Sequence, residues 1–477
     1  MKIHDGKKRG YLPEICLLAA FLFFVHPYLL REFWFDEALT LMNFAWMPDP
    51  VRIYFSYVIP NNQILYTIAL HYWTQLPIDF FRADFSLRLL SLFFAVGTLL
   101  LLYTSFRRTC GRFPLLLTLG ALALSPPFLI YSTALRGYMA SAFFTVLAVK
   151  FAVDFQKKSD FYTWGKYAVS CLLAVGTIPS NLLALGGCVL YALPFAGKFF
   201  WRKKRSFVLC VTPFATLAVF YLPILKAFLG VCRLGEGWQD GKGVLLAWGV
   251  TAGSVFSVLW LVWLTALIRR PDHRNLLRTG ILFLPVAAVI LLPTAPFPRV
   301  FFPLLPLLCP VISDGIRRCC AFRKNRRRNA RILFGVLSAV VLLSAFVLKQ
   351  DGTKEFLSGY CGGRSGDDFF HGFYMRKDHV PQQTALFLEK NYGRNSELPP
   401  IYFSFLADPW PSMYYILANG QRSEFLFDGP RGKVATLAAD SLVVIHKKEN
   451  PETVSLRFGV TLVPLFQTPM HSVFKVQ

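Results

Sequence analysis

Two adjacent carboxylates, Asp36 and Glu37, stand among aromatic residues in Phe33-Trp34-Phe35-Asp36-Glu37-Ala38, directly after the first long apolar run. Two acids at the lip of a membrane are costly to desolvate unless they have a partner or a task. A carboxylate placed there can take a proton from an attacking hydroxyl. A plainer role fits the same residues: Asp36 caps a helix that begins at Glu37, whose first turn favours acids. The two roles are compatible, and the pattern leaves both open. Asn61, Asn62 and Tyr66 supply amides and a phenol at the start of a second helical segment, where a turn and helix start also explain them. Arg136 sits in a very short outer connection between apolar runs, and Arg299 at the outer end of another span. Snorkelling to lipid headgroups is one reading of these arginines, and bidentate binding of a phosphate or pyrophosphate is the other.

The elements that must hold these residues are membrane spans. Hydrophobic residues make up 55% of the 477 and charged residues only 16%, against about 25% charge in a soluble domain. That is too little polar surface to wet a chain of this length. The net charge of +24 suggests nucleic acid only if it lies on one soluble face, and it does not. From residue 349 onward there are 14 basic and 13 acidic side chains, so residues 1–348 hold 37 and 14 and carry +23. The basic residues cluster between apolar runs, at Lys7-Lys8-Arg9, Arg107-Arg108, Lys157-Lys158, Arg202 to Arg205, Arg269-Arg270 and Arg326 to Arg328. Clusters at alternate gaps mark cytoplasmic loops, so nucleic acid is not an expected partner.

Walking the chain with this rule gives about eleven spans with the N-terminus cytoplasmic. The apolar runs fall near 14–30, 87–106, 113–131, 138–155, 165–180, 181–197, 207–229, 244–268, 279–295, 300–316 and 332–348. The pair around Thr177-Ile178-Pro179-Ser180-Asn181 reads as two spans or as one kinked helix. The first run lacks a small-residue cleavage site, so an uncleaved span is expected. A long outer loop, 31–86, has helical periodicity near 37–47 and 63–75 and should lie along the membrane surface. Residues 349–477 then form an extracytoplasmic domain that alternates helices and strands: Gln382–Tyr392 helical, 401–405 a strand, Trp410–Ala418 helical, 442–446 a strand, and a last helical turn before a strand at 471–476. The expected division is 1–348 membrane module and 349–477 small α/β domain. Of ten cysteines, only Cys232 and Cys361 fall in outer segments, where a disulfide and unpaired packing are both open.

In their joint order these segments resemble the GT-C glycosyltransferases, polytopic enzymes that take sugars from polyprenyl-phosphate carriers. The nearest shapes are the family-39 type, which includes protein O-mannosyltransferases and the lipid A aminoarabinose transferase. The Asp36-Glu37 pair is followed by an Asn-rich Leu65-Tyr66 helix start. Asp84-Phe85-Ser86-Leu87-Arg88-Leu89-Leu90-Ser91 resembles the family's entry to span two. Ser125-Pro126 through Tyr138 resembles its Ser-Pro to Ala-Arg-x-Tyr segment, and Pro298-Arg299 with Pro303 and Pro306 its Arg-Tyr-x-x-Pro span. The resemblance implies an all-α polytopic membrane protein with a GT-C fold. It makes Asp36 the general base and Glu37 an orienting or acceptor-binding partner. Arg136 and Arg299 would hold the carrier phosphate, Asn62 and Tyr66 would line the sugar pocket, and Asn61, Arg88 and Tyr138 join them as substrate-binding candidates. Gln63-Ile64 stands where the family often has His-Pro, and Ala134 and Gly137 flank Arg136 where it often has an acid. Both departures argue against a divalent-metal site, so a metal- and cofactor-free reaction is expected.

The expected activity is transfer of a hexose or pentose from a polyprenyl-phosphate donor to an acceptor hydroxyl on lipid, glycan or protein, at the outer face of a cytoplasmic or endoplasmic-reticulum-type membrane. The rival class is a transporter or flippase, which explains the spans equally well. That class predicts broken mid-membrane helices and an internal repeat, and neither is visible. Lys150 and Asp154 read as a helix-surface pair, not a proton relay.

Overall fold

The computed structural model describes residues 11–60, 62–77, 83–197, 203–234, 241–269, 272–292, 295–320, 326–361, 369, 378–428 and 434–477. Asn61, Lys7, Lys8, Arg9, Arg202 and Arg270 lie outside the described residues.

Among the described residues, six helices are long and apolar enough to cross a membrane: Leu12–Leu29, Asp84–Cys110, Tyr138–Lys158, Lys204–Arg233, Gly241–Arg269 and Arg274–Leu291. A further helix, Phe334–Lys349, meets Asp351–Tyr360 at an 81° bend. Length and apolarity alone therefore give fewer spans than the eleven apolar runs. Proline is one reason. The run at 113–131 is split into Arg112–Ala123 and Pro126–Tyr131, with Ser125 extended ahead of Pro126 (φ −78°, ψ 147°). The Cδ of a proline disfavours helical backbone in the residue before it. In the same way Ile178, ahead of Pro179, is extended (φ −142°, ψ 122°) and separates Phe161–Thr177 from Asn181–Ala192. These are two helices, not one kinked helix. Asn181 clamps the break by donating to the Ala174 carbonyl (2.7 Å) and to Ser141 Oγ (2.5 Å).

Exposed Phe23, Phe93, Leu261 and Ile290 give these helices the apolar outer surface that lipid covers. The helices Asp84–Cys110 and Tyr138–Lys158 each run from the level of the outer loop to a basic terminus, Arg107-Arg108 and Lys157-Lys158. At that far end Arg112 pairs with Glu14 (2.6 Å), and Arg318 with Asp314 (2.9 Å) and Asp272 (3.0 Å). Lys150 and Asp154 are an i, i+4 pair at 3.3 Å on one helix surface.

The outer loop is a chain of short helices: Phe35–Thr40, a π-turn at Leu41–Ala45, Pro50–Phe55 and Ile64–Thr74. His71 Nδ1 lies 2.9 Å from the Ala45 carbonyl and ties the π-turn to the last of them. The C-terminal part is a five-stranded sheet in the order β2-β1-β3-β5-β4. The strands are β1 (Ile401–Phe403), β2 (Phe425–Phe427), β3 (Leu442–His446), β4 (Leu462–Gln467) and β5 (His471–Val476). β1 pairs in parallel with β2 and β3, whereas β5 pairs antiparallel with β3 and β4. Side chains alternate across such a sheet. Tyr402, Val443 and Phe474 therefore form one core with Val454, while Ile401, Phe403, Val444 and Val473 face the other way. That second face packs with Met413 and Tyr414 of the helix Pro409–Ala418 and then with Phe33, Ala38, Leu41 and Leu70 of the outer loop. The sheet domain and the loop share one hydrophobic core. Cys232 and Cys361 are both free thiols.

Candidate active site

The helix Phe35–Thr40 follows Trp34 in extended conformation (φ −106°, ψ 170°). Capping falls to Glu37 and not to Asp36: Glu37 Oε2 accepts from the Trp34 N–H at 3.3 Å, reaching back from the third helical position. The helix therefore starts at Phe35, two residues earlier than the start at Glu37 expected from a cap at Asp36. One turn of helix then sends the two neighbouring acids into different surroundings.

Glu37 is fully buried. Its Oε2 is 2.8 Å from Arg88 Nη2, and its Oε1 takes hydrogen bonds from Arg31 Nη2 (3.1 Å) and the Leu135 N–H (3.0 Å). Burial alone would raise this carboxyl, yet Arg88 and Arg31 outweigh it and hold the group below the usual carboxylate range. Arg88, also fully buried, spends its remaining donors on the carbonyls of Leu29 (3.2 Å), Glu32 (3.1 Å) and Arg31, and its guanidinium lies over the Phe33 ring. This pair fastens the end of the first helix, the outer loop and the Arg136 connection to one another. Neither side chain turns toward an open surface.

Asp36 lies between two guanidinium groups. Its Oδ2 is 3.5 Å from Arg136 Nη1 and 3.5 Å from Arg299 Nη1. These residues come from the outer loop, the connection before Tyr138–Lys158, and the 3-10 turn Pro298–Phe301. Pro298 sets that turn, since its fixed φ suits a helical first position. Arg136 is 2% exposed, and its Nε and Nη1 have no hydrogen-bond partner among the described residues. Tyr138 lies beside it, with the guanidinium 5.7 Å from its ring, and packs on Tyr131 at 4.8 Å.

The remaining candidates support this arrangement from behind. Asn62 turns back into its own loop, donating to the carbonyls of Ile53 (2.8 Å) and Ser56 (3.1 Å). Tyr66 is buried and bonded to Ser91 Oγ at 2.7 Å, and Ser91 donates to the Ala134 carbonyl at 2.5 Å. The connection bearing Arg136 is thus gripped at three successive points: Ser91 at Ala134, Glu37 at Leu135, and Gln63 Oε1 at the Gly137 N–H. Gly137 has no room for a side chain, since a Cβ there would meet Thr177 Cγ2 at 2.6 Å. Gln63 and Ser91 were not visible as site residues in the sequence, because each acts through a partner far along the chain, while Arg31 acts on Glu37 only six residues on. Asp408, at the start of the helix Pro409–Ala418, is the other addition: burial, and then the nearby charge of Asp36, push its carboxyl up to about 8. Only its Ala-Asp-Pro setting, a helix-start signal, singled it out.

The architecture is that of a helical protein with apolar helices of membrane-spanning length and a small C-terminal sheet domain. Two crystal structures of ArnT from Cupriavidus metallidurans share it over nearly the whole length of both chains. One, in the apo state, superposes with a TM-score of 0.57 at 12% identity, covering 97% of each chain. The other, bound to undecaprenyl phosphate, superposes with a TM-score of 0.58 at 12% identity, covering 98% of each. No family model matches the chain, and no curated protein matches it by sequence.

Proposed function

We propose that this chain is an integral-membrane glycosyltransferase that moves a sugar from a polyprenyl-phosphate carrier to an acceptor hydroxyl. The observation that carries the proposal is Asp36 held 3.5 Å from both Arg136 and Arg299. The shared fold with ArnT, whose crystal structure holds undecaprenyl phosphate, supports the same carrier class here. The basic termini at the far end of the helices support a cytoplasmic N-terminus and an extracytoplasmic site and C-terminal domain. The acceptor is a lipid, glycan or protein hydroxyl, and the transferred group a hexose or pentose.

The chemistry follows from the leaving group. A sugar on a lipid monophosphate departs as a phosphate dianion, which needs cationic stabilisation more than a proton. Arginine supplies it, because it stays charged at a membrane boundary and presents paired donors to phosphate. In the ligand-free protein Asp36 partly neutralises the two guanidinium groups. When the carrier phosphate takes over that role, Asp36 is left as a base beside the anomeric carbon. The acceptor oxygen attacks that carbon, the bond to the phosphate oxygen breaks with its electron pair going to the phosphate, and the hydroxyl proton passes to Asp36. One displacement inverts the anomeric configuration. The pair of cations beside Asp36 repels a divalent metal, which supports a metal-free reaction. Glu37 and Arg88 position the loop and do not touch the ligand.

A transporter also needs spans and cytoplasmic charge, but no observation of the site favours one. Mass spectrometry of envelope lipids and glycans, with and without the gene, tests the proposal. A glycan or lipid that loses one sugar in the absence of the gene supports it. Identical profiles combined with altered transport of a small solute would overturn it.

A further inference from the structure

The helix Pro409–Ala418 docks on the outer loop through Phe33. The Phe33 N–H donates to Tyr415 Oη at 2.9 Å, and its ring meets Tyr414 edge-on at 4.7 Å. The residue at the N-cap position of this helix, Asp408, is thereby carried to the neighbourhood of Asp36. An aspartate at such a position ordinarily accepts from the N–H groups of the first turn. Here it does not: Asp408 makes no side-chain cap hydrogen bond. Both carboxyl oxygens are buried and lack a hydrogen-bond partner among the described residues. Its backbone is left-handed (φ 51°, ψ 70°), an unfavourable conformation for a side chain other than glycine, asparagine or aspartate. A buried carboxyl without partners, within reach of the charge of Asp36, is expensive to keep and does nothing for its own helix.

We infer that Asp408 is a ligand-binding residue of the site beside Asp36, contributed by the C-terminal domain, and that its carboxyl hydrogen-bonds a hydroxyl of the sugar or of the acceptor. The inference rests on the glycosyl-transfer reading and adds to it a role for the C-terminal domain. Asp36 is the charged group of the outer loop whose field reaches Asp408, with Arg136 and Arg299 each 3.5 Å from Asp36. On the C-terminal side His471 Nε2 lies 2.7 Å from the carbonyl of Ala407 and is held uncharged by burial near neutral pH. The Asp408 carboxyl, raised to about 8, is protonated at neutral pH and can donate to a hydroxyl oxygen as well as accept.

The test uses the full-length protein with Asp408→Asn, which tolerates the left-handed backbone and resembles the neutral acid, and Asp408→Gly, which relieves the backbone and removes the carboxyl. Membranes containing the native donor and acceptor pools are assayed for product by mass spectrometry from pH 6 to 9, with Asp36→Asn alongside. The purified ligand-free protein is melted over the same range. Asp408→Gly should lower transfer about tenfold, as the loss of one buried hydrogen bond implies. Asp408→Asn should retain most transfer and lose the alkaline decline of the wild type. A group whose folded pKa is raised contributes stability at low pH that is lost as pH rises through about 8, so the melting temperature of Asp408→Asn should exceed wild type increasingly with pH. Release of free sugar in acceptor-depleted membranes separates the two ligand sources: it falls in Asp408→Gly if the carboxyl reads the donor sugar and persists if it reads the acceptor. Wild-type transfer and an unchanged pH profile in Asp408→Gly would overturn the inference, as would equal melting losses in both variants. If Asp36→Asn also matched wild type, the glycosyl-transfer reading would fail and this inference with it.

Discussion

Asp36 and Glu37 are neighbours in the chain, yet their carboxyl groups serve opposite surroundings. Glu37 is fully buried at 2.8 Å from Arg88, and Asp36 stands 3.5 Å from two arginines brought in from distant segments. Helical geometry separates adjacent side chains by about 100°, so one acid can fasten the loop while its neighbour points between Arg136 and Arg299. The two acids therefore differ in what their removal does.

Loss of Glu37 or Arg88 should be a stability defect first. Removing one partner of a buried ion pair leaves the other charge uncompensated and costs about 3–5 kcal/mol. Glu37→Ala and Arg88→Ala should each lower the melting temperature of the purified protein, and the double variant should lose less than the two combined. Additive losses would mean that the pair is not coupled.

Gly137→Ala probes the grip on Arg136. The added methyl would meet Thr177 Cγ2 at 2.6 Å and Tyr66 Cβ at 3.0 Å. Overpacking of this kind costs about 1–3 kcal/mol and shifts backbone. Transfer should fall much further than stability does, because the displaced connection carries Arg136. A variant with full activity would show that the position of this connection is not critical.

Arg136→Lys and Arg299→Lys keep the charge but lose the paired donors. Each should weaken binding of undecaprenyl phosphate to the purified protein by about tenfold, as expected for one charge-assisted hydrogen bond. Titration by intrinsic tryptophan fluorescence reads this directly. Unchanged affinity in both variants would remove the arginines from the phosphate site.

Docking of the C-terminal domain should weaken in acid. His379 Nε2 lies 2.9 Å from the Phe33 carbonyl, and His471 Nδ1 2.9 Å from Thr384 Oγ1. Burial lowers both imidazoles to about 4. The unfolded chain takes up these protons near pH 6.5 and the folded one only near 4, so stability falls as pH drops through that window. Measured relative to the intrinsic amide rate at each pH, the hydrogen-exchange protection of residues 401–428 and 434–476 should fall between pH 6.5 and 4, and His379→Gln should blunt the fall. Protection independent of pH would contradict this assignment.

The carboxylates and arginines of the candidate site stood out in the sequence because charged residues among the apolar segments of such a chain are costly. The supporting residues were not. Gln63 and Ser91 are unremarkable polar residues until the fold sets them against the Arg136 connection, and Tyr66 and Asn62 had the right chemistry but turn inward to hold loops. Strands β1, β3 and β5 showed as runs of β-formers; β2 is a short Phe425-Leu426-Phe427 run flanked by the acids Glu424 and Asp428, and β4 is interrupted by Pro464. Spans were readable as apolar runs, whereas the break at Ser125 divides the run at 113–131 into two short helices, and the break at Ile178 falls between two runs already read apart. Asp408 carried only the helix-start signal of its Ala-Asp-Pro setting, since its significance lies in its nearness to Asp36, far away in sequence.

The most direct measurement is transfer by Asp36→Asn in native membranes, paired with the melting curve of the same purified variant. An oriented base contributes about 10²–10⁴-fold. The account predicts a loss of that order with an unchanged melting temperature. Near wild-type transfer in a folded Asp36→Asn protein would contradict it.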